Sequence, residues 1–152
     1  MRQSIESLDE QFADLHRRSG HLIEQLAPEQ LYQKLPAPGD SCGEQVLRTA
    51  AVVERAFGGI TANLWDDPFE WTLPETLTTP ARVIEYLGEV EDTRRQAFQL
   101  FTDDRDLSKE IMAPAGATPL GPFLLDTLQR ARHHQQRATA ALDRLTQISN
   151  DH

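Results

Sequence analysis

The sequence predicts an all-α fold: a four-helix bundle built as a single domain over residues 1–152. Three observations predict it. Four separate stretches repeat apolar residues at alternating spacings of three and four, which places them on one face of a helix. Segments carrying proline and glycine separate those stretches, and no strand-like alternation of apolar and polar residues competes with them. Each apolar stripe would be exposed on an isolated helix, so the four must bury one another. A length of 152 residues suits one domain, and a chain of that size buries roughly 68–70% of its unfolded surface without needing a disulfide.

The first stripe runs Ile5, Leu8, Phe12, Leu15, Leu22 and Leu26, with Ser19 in its one polar slot. Pro28 ends or restarts this helix, and Leu31 and Leu35 pack as a short continuation. Pro36-Ala37-Pro38-Gly39-Asp40 cannot be helix interior. Ser41-Cys42-Gly43-Glu44 then reads as a capping box opening the second helix, whose stripe is Val46, Ala50, Val53, Phe57, Ile60 and Leu64. Gly58-Gly59 within it permits close packing or a bend. Residues 65–79 contain two prolines together with Trp65, Phe69 and Trp71, the composition of a packed crossover. Thr79-Pro80 caps the third helix, which carries Val83, Leu87, Val90, Ala97 and Phe101, with Arg94 standing in the stripe. A polar and then Pro/Ala/Gly-rich connection spans 103–118. Thr118-Pro119 or Gly121-Pro122 opens the fourth helix, with Leu124, Leu128, Ala131, Ala138, Leu142 and Leu145 on its stripe and Gln135 interrupting.

Charge and composition narrow the function. With 24 acidic and 15 basic residues the formal net charge is −9. Nucleic acid is not expected as a partner, because phosphate backbones demand clustered Lys and Arg. No run approaches the ~18 apolar residues of a membrane span, and none follows Met1-Arg2-Gln3-Ser4, so neither membrane insertion nor export is expected. A single cysteine forbids an internal disulfide, and a cytoplasmic location fits.

Chemistry-bearing motifs are sparse. The chain lacks Glu-x-x-His pairs, His-Glu-x-x-His, a Gly-rich phosphate loop and a Gly-x-Ser-x-Gly elbow. His16 and His21 stand five apart, on different helix faces. His133 and His134 are adjacent, so only one of them faces inward, and His134 shares a face with Arg130 and Arg137. Cys42 falls in the first turn of the second helix, where the positive helix end could favour its thiolate; a small, half-buried apolar role is the simpler alternative.

The phrases Leu26-Ala27-Pro28-Glu29-Gln30-Leu31, Lys34-Leu35-Pro36-Ala37-Pro38-Gly39 and Ser41-Cys42-Gly43-Glu44-Gln45-Val46-Leu47 together resemble the first half of a DinB-like domain. The Leu77-Thr78-Thr79-Pro80 helix start and the Gly116-Ala117-Thr118-Pro119-Leu120-Gly121 entry to the last helix are similar too, so the resemblance covers nearly the whole chain. It implies up-down-down-up connectivity with a long crossover between helices two and three. It also implies homodimerisation and, in many members, a divalent metal on three histidines. Characterised relatives include transferases and isomerases that use low-molecular-weight thiols. Carried onto this chain, the three histidine positions fall on Arg48, Arg130 and His134. Guanidinium groups stay protonated and do not ligate metals, so neither a bound metal nor another cofactor is expected.

Two readings of the arginines remain open. Arg48 follows Glu44 by four residues and Arg130 follows Asp126 by four, so both could be spent in intrahelical ion pairs, sharing a polar layer with Gln135 and Arg94. Alternatively Arg48, Arg130 and His134, with Glu44 and Asp126 beside them, line a pocket for a carboxylate or phosphate. With no nucleophile–base pair in view, the expectation is a metal-free module that binds a small anion or a partner, without catalytic residues. The alternative is a thiol-dependent transferase whose arginines hold an anionic co-substrate.

Overall fold

The structure, a computed structural model, describes residues 2–36, 39–65 and 73–150. Four long helices dominate it: α1 (Gln3–Glu24), α2 (Cys42–Ala62), α4 (Pro80–Phe98) and α5 (Leu120–Asn150), with a single-turn α3 (Leu73–Thr76) preceding α4. Nearly every residue of the four stripes is buried in one shared hydrophobic core. Within it α2 packs against both α4 and α5, and α1 touches all three. Four phenylalanines form its centre. Phe12 meets Phe57 and Phe98 edge-on at 5.2 and 5.8 Å between ring centroids, and Phe98 meets Phe101 at 5.1 Å.

Helix ends follow their local chemistry. Ser41 Oγ accepts the Glu44 N–H, and the Glu44 carboxylate reaches back to the Ser41 backbone, completing the anticipated capping box. Thr79 accepts the Arg82 N–H ahead of Pro80. Gly43 lies so close to the preceding segment that a Cβ there would meet the Leu31 carbonyl at 2.3 Å. The α1 N-terminus has no side-chain cap of its own. Its Ser4 and Ile5 N–H groups donate instead to Asp104, a hundred residues away.

Three expectations need correction. The second helix stops at Ala62, short of Leu64, which is 61% exposed. Asn63 turns left-handed (φ 57°), and its N–H and that of Leu64 satisfy the Gly59 and Gly58 carbonyls, closing the helix. The 103–118 connection, where no strand was anticipated, contains an antiparallel hairpin of β1 (Glu110–Ala113) and β2 (Gly116–Pro119). Its strands are only four residues long, so the period of two shows merely as half-burial of Ile111, Ala113, Gly116 and Thr118. Continuing α1 beyond Pro28 was the third. A 3-10 turn at Pro28–Gln30 replaces it, still delivering Leu31 to the core. Of the 65–79 crossover, residues 66–72 lie outside the described residues; Leu73 and Leu77 beyond them pack on the core, and Tyr32 Oη donates to the Leu77 carbonyl at 2.7 Å.

Arg94 is the largest fully buried side chain, at 1% exposure. Its Nε donates to Glu91 at 2.6 Å, another nitrogen reaches Asp9 on α1, and its guanidinium lies over the Phe98 ring at 5.1 Å. Arg94→Ala strands a buried carboxylate at Glu91, so urea denaturation should show a loss of about 3–5 kcal/mol. The double change Glu91→Gln/Arg94→Met should lose clearly less.

The Asp104 carboxylate is held below the usual range, chiefly by the Ser4 N–H and then by that of Ile5. A depressed folded-state pKa contributes stability above the unfolded value and loses it as pH falls. The Tm deficit of Asp104→Asn should therefore be largest at neutral pH. In thermal melts it should shrink progressively from about pH 4 downward.

Candidate functional site

Along α5 the core stripe fixes which residues face α2. Phe123, Asp126, Arg130 and His134 follow one another at helical spacing on the flank of that stripe, and α2 presents Ala51, Val52, Arg55 and Ala56 toward them. Small side chains on α2 leave space here. The result is a cavity of about 530 Å³, partly open, with the tip of the hairpin (Ala113, Pro114, Ala115) forming another wall.

Trp65 lines the same cavity. Its ring meets Phe123 edge-on at 5.6 Å, and its backbone carbonyl accepts the Arg55 Nε–H at 2.9 Å. The indole lies so close over Gly59 that a Cβ at that position would fall 2.2 Å from a ring carbon. Gly59 thus serves close packing, one of the two roles anticipated for the Gly58-Gly59 pair.

The opposite end is polar. Arg130 Nε pairs with Asp126 at 3.2 Å, the i,i+4 contact that their spacing suggests, and both side chains are more than half exposed. His134 is the inward member of the histidine pair, half-buried, whereas His133 is exposed. Its Nδ1 lies 3.2 Å from Gln45 Oε1, and because that oxygen can only accept, the ring proton sits on Nδ1. Burial, reinforced by the positive charges of Arg48 and Arg137, pushes the His134 pKa below 6.5, with Asp40 opposing weakly. The ring is neutral at pH 7.

Arg48 and Glu44 have other partners. Arg48 Nε reaches Asp40 at 2.5 Å, and Glu44 is held by the Ser41 cap and by Lys34 Nζ at 3.1 Å. Arg130, His134 and Asp126 therefore share one cavity; Arg48 acts on it through its charge on His134, and Glu44 does not line it. The polar layer imagined around Gln135 and Arg94 divides in two. Gln135 Nε2 donates to the Leu15 carbonyl and Ser19 Oγ, filling the one polar slot of the α1 stripe, while Arg94 pairs elsewhere.

Cys42 corrects another expectation. Burial pushes its thiol up to about 12, outweighing any help from the helix end. Among the described residues no three His, Cys, Asp or Glu side chains come together as metal donors. No described helix is long and apolar enough to cross a membrane.

Spacing along the two helices pointed to Arg130, Asp126 and His134. It missed Arg55, although that residue stands seven positions after Arg48, and nothing in the 110–119 composition marked the hairpin as a wall. No family model, curated protein or solved structure matches the chain.

By NMR titration, His134 should show a midpoint below 6.5. Arg48→Ala should move that midpoint upward, since a neighbouring cation disfavours the protonated ring.

Proposed function

We propose that this chain is a DinB-like four-helix bundle of up-down-down-up connectivity, with its long crossover between α2 and α4, and that it binds a small anionic ligand without a metal. Several features support the family reading. Four long helices share one core in the anticipated order, and His134, which aligns with a ligand histidine of the family, is the inward member of its pair. Guanidinium groups occupy the other two positions, where they offer charge and hydrogen bonds but no lone pair to a cation.

The observation that carries the binding reading is the meeting of Arg130 and a neutral His134 at one end of an otherwise apolar cavity. Arg130 pairs only with Asp126, in an exposed contact of the kind worth about 0–1 kcal/mol. A carboxylate or phosphate taking both arms of the guanidinium forms a stronger, charge-assisted pair and displaces that contact at little cost. A second ligand atom can accept or donate at the His134 ring. No group in the cavity is a ready nucleophile, and Cys42 lies outside its lining.

Thermal shift of tag-free protein against organic acids and low-molecular-weight thiols tests this. An acid at about ten times its Kd adds about 1.4 kcal/mol, a rise in Tm of roughly 3–6 °C, and Arg130→Ala should remove most of it. Stabilisation by thiols alone would replace this reading with a thiol-dependent transferase. About one zinc or nickel per chain, lost in His134→Ala, would overturn the metal-free part.

A further inference from the structure

The two ends of the cavity differ in kind, and that difference specifies a ligand class. Resting on the anion-binding reading above, we infer that the ligand is a monocarboxylic acid carrying an aryl or alkyl body. It lies along α5 with its carboxylate at Arg130 and His134 and its body toward Trp65 and Phe123.

Length comes from the helix. Phe123 and His134 are eleven residues apart on α5, which at about 1.5 Å per residue is roughly 16 Å. Trp65 stands beside Phe123 at one end, and Gln45 holds His134 at the other. A cavity of about 530 Å³ stretched over that distance suits an elongated molecule within the range of small-ligand sites. An inorganic anion would leave the aromatic end unfilled.

Charge selects the head group. The described lining carries Arg55 and Arg130 against Asp126. His134 adds no charge at pH 7, because burial and the nearby Arg48 keep it neutral. A single negative charge balances this set, whereas a phosphate dianion would place excess charge beside Asp126. Geometry agrees: a planar carboxylate matches the guanidinium fork of Arg130. At the far end, the T-shaped Trp65–Phe123 pair offers apolar surface to an aromatic or branched body.

Trp65 supplies the readout. The chain has two tryptophans, so a Trp71→Phe background, checked by circular dichroism and thermal melting, isolates its fluorescence. Titration would use acetate, butyrate, hexanoate, benzoate and 3-phenylpropionate, with hexanamide, 3-phenylpropionamide and phenyl phosphate as controls. Affinity should climb roughly fourfold per buried methylene along the aliphatic acids. 3-Phenylpropionate should exceed its amide by about tenfold or more, in line with a charge-assisted pair. Arg130→Ala should abolish the acid–amide difference while leaving amide binding in place, and Phe123→Ala should weaken 3-phenylpropionate far more than acetate. A flat series, with acetate binding as tightly as 3-phenylpropionate, would overturn the ligand class and leave the anion reading standing. Phenyl phosphate binding more tightly than benzoate would do the same. Failure of every anion at millimolar concentration would remove both.

Discussion

Rotation of α5 about its own axis is the constraint on which the rest of the structure depends. Leu124, Leu128, Ala131, Ala138, Leu142 and Leu145 are all buried against the other helices. A 3.6-residue repeat leaves no freedom for the positions between them. Once that stripe is inward, Phe123, Asp126, Arg130 and His134 must flank it on the side of α2. Gln135 must face α1, where it reaches Ser19 and the Leu15 carbonyl. Core packing and site geometry are thus one decision. A turn of α5 by a single residue would expose leucines and move the arginine away from the cavity together.

Buried polar groups hold this arrangement in register. None of the buried side-chain nitrogen or oxygen atoms among the described residues lacks a partner, which matters because an unpaired one costs about 1–3 kcal/mol. Arg94 ties α4 to α1 through Asp9, and Gln135 ties α5 to α1. Asp104 ties the loop after α4 to the start of α1. Apolar side chains alone tolerate sliding of one helix past another. Directional contacts at three places along α1 do not, and the α2–α5 groove inherits that stiffness through the shared core.

Charge placement gives the acidic chain its local contrast. Most acidic side chains are exposed and solvated, whereas Arg48, Arg55, Arg130 and Arg137 all stand near the groove between α2 and α5. Asp40 and Asp126 offset part of that positive charge. The remaining positive potential is enough to keep His134 neutral, so the groove combines fixed guanidinium charge with an uncharged ring. A surplus of acid over the whole molecule is compatible with a locally anion-accepting cleft because exposed charges more than about 8–10 Å away are screened by salt.

Sequence by itself determined the helices, their inward faces and most of their caps. Helical periodicity and capping act within four residues, and Ser41, Glu44 and Thr79 do what their local spacing requires. It also placed Asp126, Arg130 and His134 on one helical face for the same reason. Only the tertiary structure decided that His134 rather than His133 turns inward, that Arg48 pairs with Asp40, and that Trp65 closes over Gly59. Those outcomes depend on residues brought together across the fold or along a loop, where spacing carries no orientation. The hairpin belongs with them, since four-residue strands are too short for a periodic signal and gain their meaning from the cavity they border. Cys42 shows the limit most directly: the helix end that could activate its thiol is visible in the chain, and the burial that silences it is not.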